Sequence, residues 1–213
     1  MERREAIAHL SEIAREQAGY VAARQAKRVG VTSKDLVRLV DMQELRRVRP
    51  GIYALPGAFP GAREPLIAAW LRLEGERLPW EEADPIGIAA HTTAAVLYAI
   101  GTFVDDIPTF TVQRRRHAPR DATLRLYAAF VDVVDWEWKG LPESMLIPTT
   151  TPARTIVDLA YSGEERAHVI DALEDAVAAR ITTAAEVRGA LARRRVRGGR
   201  GSARWLEQAI PGG

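Results

Sequence analysis

Residues 32–56 read TSKDLVRLVDMQELRRVRPGIYALP, and this stretch decides the fold. Thr32 or Ser33 supplies an N-cap, and Leu36, Leu39 and Val40 then recur on one side of a helix through about Asp41. Leu45–Val48 and Ile52–Leu55 flank the turn Arg49-Pro50-Gly51 as the two strands of a hairpin. A hairpin needs no arginines to fold, yet three crowd ahead of this turn. Positive charge placed there, with no nucleophile or general acid beside it, suits a polyanion better than a reaction.

Working outward, residues 3–17 carry Ala6, Ile7, Leu10, Ile13 and Ala14 at helical spacing, and Gly19 stops them. Residues 21–29 are predicted as a second, two-turn helix with Ala23, Ala26 and Val29 on one side, ended by Gly30. Helix, short helix, helix and basic hairpin within 57 residues is the order of a winged helix-turn-helix. A helix about 10–12 Å across fits the major groove, where base edges present a readable donor and acceptor pattern. The third helix leaves Ser33, Lys34 and Arg38 outside, with Thr32 at the end where backbone amides accept a phosphate. Strand alternation predicts Val48 inward and Arg47 and Arg49 together on the outward face, with Arg46 structural and Tyr53 a packing residue. The predicted DNA-binding set is Thr32, Ser33, Lys34, Arg38, Arg47 and Arg49.

Composition sets the bounds. The 213 residues are 47% hydrophobic, enough for a core, and contain no cysteine, which excludes disulfides, thiolate metal sites and cysteine nucleophiles. No apolar run of about 18 residues occurs, and MERREAIAHL scatters charge where a signal peptide would be apolar, so a cytoplasmic protein is expected. The net charge of +2 is unevenly spread: +4 over residues 1–57 and +5 from residue 193 onward, against −5 over 58–110 and −4 over 140–192. Arg114, Arg115 and Arg116, and Arg194 and Arg195 within the run that continues to Arg200, are secondary candidates for phosphate contact.

GAFPGA (57–62) marks a boundary, giving a winged domain over 1–57 and a second domain over 63–213. The second part reads as mixed α/β with a helical C-terminus, so the class is α+β. Helices are predicted from near Pro65, over 91–100, and repeatedly from Thr151-Pro152 onward. Ser162/Glu165 and Thr183/Glu186 have capping-box spacing, and Ser202 opens a last short helix. TFTVQ (109–113) and residues 123–138 have strand character. Arg154 and Asp158 stand four apart, as a pair tying the helix after Pro152 to the sheet would.

Chemistry has few footholds. His9, His91, His117 and His168 lie at no metal-ligand spacing, and His91 suits a helix terminus. Asp135-Trp-Glu137-Trp-Lys139, with Asp105 or Asp106 upstream, is the sharpest hint of a metal-dependent nuclease; plain strand alternation, with charges on one face and Val134, Trp136 and Trp138 on the other, explains it better. The expectation is no enzyme, no cofactor and no metal, with double-stranded DNA as partner. A stand-alone repressor whose second domain senses a ligand or a protein is the alternative, and a nuclease using Glu137 and Lys139 a further one.

GYVAARQAKRVGVTSKDLVRLVDMQELRRVRPGIYALP (19–56) resembles the N-terminal domain of AbiEi-type antitoxins of type IV toxin–antitoxin systems. Gly19, Tyr20, Ala26, Leu45, Arg47, Val48, Gly51, Ile52 and Tyr53 fill that family's pattern. AHTTAAVLYAIG (90–101) and TTPARTIVDLA (150–160) resemble its later segments, with Ala90 in place of a usual serine and Ala22 in place of a hydroxyl residue. The resemblance implies binding to promoter repeats, repression of the protein's own operon, and opposition to a nucleotidyltransferase-like toxin without need of a stable complex.

Overall fold

The computed structural model describes residues 1–58, 61–113, 123–142, 145–194 and 203–211. Arg114, Arg115, Arg116, His117, Arg195, Arg197, Arg200 and Ser202 lie outside the described residues. The chain forms two compact units: Met1–Ile86 with Gly140–Ile147, and Gly87–Lys139 with Pro148–Gly213.

In the first unit, α1 (Arg3–Arg15), α2 (Ala23–Arg28) and α3 (Ser33–Asp41) pack with a three-stranded antiparallel sheet of β1 (Tyr20–Ala22), β2 (Arg46–Arg49) and β3 (Ile52–Ala54). The strand order is β1-β3-β2, which is a winged helix-turn-helix with β3 paired on both sides. Ala6, Leu10, Ile13, Val21, Ala26, Leu36, Leu39, Leu45 and Tyr53 form its core, so Tyr53 is a packing residue as predicted. The predicted helix over 21–29 is shorter than its periodicity suggests, because Tyr20–Ala22 is drawn into the sheet as β1 opposite Ala54–Ile52. Buried amides fix that junction. Gln25 Oε1 accepts from the Ala22 amide at 2.9 Å, and Gln25 Nε2 donates to Gln17 Oε1 at 2.7 Å. The turn to β3 uses Gly51 at φ +79°, a left-handed conformation that glycine adopts without a Cβ penalty. The helix near Pro65 is α4 (Glu64–Glu74), with the proline in its first turn.

The second unit, with the Gly140–Ile147 portion of β7 and β8 counted in the first, carries a five-stranded mixed sheet in the order β6-β5-β4-β8-β7, from β4 (Ile88–Ala89), β5 (Thr109–Val112), β6 (Arg125–Ala128), β7 (Trp136–Leu141) and β8 (Met145–Thr150). Its helices are α5 (His91–Tyr98), α6 (Pro152–Ser162), α7 (Arg166–Ala178), α8 (Ala184–Arg193) and α9 (Arg204–Ala209). Ile100, Ile156, Leu159, Val169, Leu173, Val187 and Leu206 gather in one apolar cluster between them. Thr183 and Glu186 form the expected capping box on α8. Ser162 does not cap a helix. It ends α6, where its hydroxyl donates to the Leu159 carbonyl at 2.8 Å and Gly163 at φ +87° closes the turn.

Arg154 is the most constrained side chain of this unit, with 0% exposure. Its Nε donates to Asp158 Oδ1 at 3.0 Å, Nη1 to Asp135 Oδ2 at 3.2 Å, and Nη2 to the Phe130 carbonyl at 2.9 Å. The spacing of Arg154 and Asp158 therefore marks a buried tie, as the sequence suggested. A charge taken out of water is tolerable only when fully paired, and removing one partner of such a set costs about 3–5 kcal/mol. Arg154→Ala is expected to destabilise by that amount and lower Tm by roughly 10 °C or more in calorimetry.

His91 poses a second constraint. It begins α5 at φ +55°, stacks on Tyr127 with ring centroids 4.0 Å apart, and neither ring nitrogen has a hydrogen-bond partner among the described residues. Ala90, before it, supplies no side-chain cap. Burial, reinforced by Arg194, Arg154 and Arg125, pushes the imidazole down to about 3. The unfolded chain then binds the proton more readily than the folded one, so stability falls as pH drops from about 6.5 towards 3. The slope approaches about 1.4 kcal/mol per pH unit. Asp105, whose carboxyl burial raises, opposes this only at the acid end. Urea titrations between pH 6.5 and 4.5 should show this loss in the wild type and a shallower one in His91→Phe, where only carboxylates held low in the fold, such as Glu64, still contribute; equal slopes would refute the assignment.

Candidate nucleic-acid interface

α3 is built to present a polar end outward. Asp35 donates its amide to Thr32 Oγ1 at 3.2 Å, and Asp35 Oδ2 accepts from the Thr32 amide at 3.1 Å and hydroxyl at 2.6 Å. Those two donors hold the Asp35 carboxyl below the usual carboxylate range. Asp35, Leu36 and Leu39 bury one side, which leaves Thr32, Ser33, Lys34, Val37 and Arg38 exposed. Lys34 has no ion pair among the described residues. Arg38 is partly committed, its Nη2 donating to Asp35 Oδ1 and to the Met1 carbonyl, each at 3.2 Å, with its side chain 48% exposed.

Val37 is the feature that the sequence pattern did not single out. It is 56% exposed, three residues after Lys34 and four after Ser33, so it shares their face of the helix. Helical periodicity identified which positions the core takes, and Val37 fell outside that stripe with no polar group to draw notice. Its exposure beside a lysine and a serine was the available signal.

The wing departs from simple alternation. Arg46 is opposite Ala54, Arg47 opposite Tyr53, and Arg49 opposite Ile52, with a β-bulge between Arg47 and Arg49. The extra residue, Val48, shifts the parity. Arg47 falls on the face of Tyr53 and Val21, which is the face of the three-helix core, while Arg49 joins Arg46 on the other. The expectation that Arg47 and Arg49 share a face is therefore corrected, and the bulge is the reason. Val48 is half-buried and does not anchor the hairpin core.

Arg46 is structural. It forms an ion pair with Glu64, whose Oε2 also accepts from the Tyr20 hydroxyl at 2.9 Å. Arg46 first, then the Tyr20 hydrogen bond, holds the Glu64 carboxyl below its ordinary range, with a Coulomb contribution from Arg49. Burial and the same carboxylate push the Tyr20 phenol up to about 12. Arg49 thus lies in the field of Glu64, whereas Arg47 is exposed and has no ion pair among the described residues.

Arg194 is turned inward, paired with Asp158 and lying over the Tyr161 ring with its guanidinium carbon 4.4 Å from the centroid. Its side chain is 13% exposed, so the structure spends it on an internal pair and offers no free fork to a phosphate. The constellation around residue 135 does not assemble as a metal site either. Asp135 is buried between Arg154 and Arg193, Asp105 accepts from Thr93, and Glu137 accepts from Tyr98. Among the described residues no three acids or histidines converge to hold a metal. No helix among the described residues is long and apolar enough to cross a membrane.

Residues 10–56 match the model of the family described as transcriptional regulator, AbiEi antitoxin, the family that the motifs resemble. The match spans α3 and the wing. No curated protein matches the chain. Among solved structures, the crystal structure of RV2827C protein from Mycobacterium tuberculosis is similar at a TM-score of 0.53 and 15% sequence identity, covering 89% of this chain and 72% of that one. That likeness concerns the fold.

The capping box makes one local prediction. Thr32→Ala should cost about 1 kcal/mol of stability in denaturant titrations, by removing the acceptor for the Asp35 amide. A midpoint unchanged from wild type would show that α3 starts without it.

Proposed function

We propose that this chain is a DNA-binding antitoxin that represses its own operon and counteracts a nucleotidyltransferase-like toxin. The observation that carries the reading is the coincidence of the AbiEi family match over residues 10–56 with an α3 whose exposed face bears Thr32, Ser33, Lys34 and Arg38. In this reading the N-terminal half of α3 enters the major groove, as recognition helices do. Lys34 and Ser33 meet base edges or phosphates, and Arg38 does so on releasing Asp35. Arg47 holds the backbone from the core side of the wing. Arg49, nearer Glu64, contributes less.

Val37 fits the same reading as an apolar contact to a thymine methyl group, which the major groove displays at C5. The protein acts in the cytoplasm, as a regulator of its own promoter. The toxin relationship rests on the family resemblance and needs no stable complex.

Fluorescence anisotropy on the gene's own upstream DNA, with a salt series, tests the reading. Specific binding with a steep salt dependence is expected; no preference over unrelated DNA would refute it. Arg47→Ala should weaken binding to all sequences and reduce the salt slope by about one unit, and Arg49→Ala should do so less. Replacing a single contacted thymine by deoxyuracil should weaken the wild type and leave Val37→Ala unaffected. Equal sensitivity of both proteins at every thymine would remove Val37 from the interface while leaving the rest intact. Growth rescue on co-expression with a neighbouring nucleotidyltransferase tests the antitoxin arm.

A further inference from the structure

Two sequence segments that the DNA-binding reading leaves unused, Asp135–Lys139 and Thr151–Arg154, converge on one cavity of about 490 Å³ within the second unit. That volume is within the range of small-molecule sites, about 300–1,000 Å³. Its walls come from Tyr98 at the end of α5, Val134, β7, the first turn of α6, and both ends of α8.

The lining is divided by chemistry. Val134 and Ile181 are 59% and 41% exposed, and both face this concavity, with Pro152 beside them. Large apolar side chains left uncovered in a recess form a wall for an apolar body. The charged half is more telling. Glu137 is spent on the Tyr98 hydroxyl, which donates to its Oε1 at 2.6 Å. Glu186 is spent on α8, accepting from the Thr183 amide at 2.8 Å and the Thr182 hydroxyl at 3.1 Å. Both carboxylates keep their negative charge but are turned onto neutral donors of their own wall.

Lys139 is tied to no acceptor in this way. Its Nζ sits 4.1 Å from the centroid of the Tyr98 ring and has no carboxylate partner among the described residues. Arg193, 38% exposed, gives Nε and Nη2 to Asp135 Oδ1, which leaves Nη1 as its remaining donor, and the first turn of α6 adds the positive end of an eleven-residue helix. A fixed lysine and arginine beside an apolar wall make a complementary surface for one ligand class.

We propose that this cavity binds a small organic anion, a carboxylate or a phosphate monoester on an apolar, ring-sized body. The anionic head rests against Lys139 and Arg193, and the body lies on Val134 and Ile181. No residue of α3 or the wing takes part, so the site stands or falls independently of DNA binding.

Isothermal titration of the full chain with benzoate, phenyl phosphate and benzyl alcohol is the test, with tryptophan emission as a second readout because Trp136 and Trp138 flank Glu137. Saturable one-to-one binding of benzoate, of phenyl phosphate or of both is expected, and which of them binds identifies the head group. Benzyl alcohol, which lacks the charge, should not saturate. Lys139→Met should weaken the anion by about tenfold or more, as loss of one charge-assisted contact requires. Ile181→Asp, at a position 41% exposed, should weaken it similarly by placing a charge on the apolar wall. Absence of saturable anion binding, equal binding of benzyl alcohol, or wild-type affinity in both variants would overturn the proposal.

Discussion

The buried guanidinium of Arg154 is the constraint on which the second unit depends. A charge with no access to water must be surrounded by acceptors, and here they come from three stretches of chain: the Phe130 carbonyl, Asp135 at the entry to β7, and Asp158 one turn further along α6. Asp135 is then shared with Arg193 at the end of α8. One desolvated cation thereby fixes α6, the strand that follows Asp135, and α8 relative to each other. The same three elements wall the anion cavity. Fixing the ion cluster also holds β7, which carries Lys139, against α8, which carries Arg193.

The first unit solves a different problem with a different device. β3 is too short to hold a hairpin by itself, and pairing with both β1 and β2 gives it partners on either edge. Tyr53 and Val21 then turn one sheet face into the three-helix core. The β2 bulge sorts the arginines: Arg46 is paired with Glu64, Arg49 is held in the same field, and Arg47 has no ion pair among the described residues. Charge available to a partner is thus a property of register rather than of composition. The same distinction separates Lys34, unpaired on α3, from Arg38, which must exchange Asp35 for any other anion.

Several of these features could be read from residue order. The helices of the winged unit, the Thr32 cap, the packing role of Tyr53 and the pairing of Arg154 with Asp158 all follow from local spacing. Strand β1 did not, since Val21 and Ala22 adjoin the periodic run from Ala23 and read as part of its helix, whereas pairing with β3 makes Tyr20–Ala22 a strand. Ser162 looked like a cap because it stands three residues before Glu165, yet it is the last residue of α6. Arg194 looked like surface charge because it sits in an arginine run, but Asp158, distant in sequence, draws it inward. Val37 went unnoticed because a valine in a helix is ordinarily core.

The sequence by itself determined the periodic elements, their caps, the segregation of positive charge into residues 1–57 and the order that identifies a winged helix-turn-helix. These depend on interactions within a few residues, which spacing records. Tertiary structure alone decided which cations remain free, on which side of the wing each arginine lies, and that Glu137, Lys139 and α6 share a cavity. Those outcomes depend on which distant acceptor a charge meets and on whether one residue bulges from a ladder, and neither leaves a mark in local periodicity.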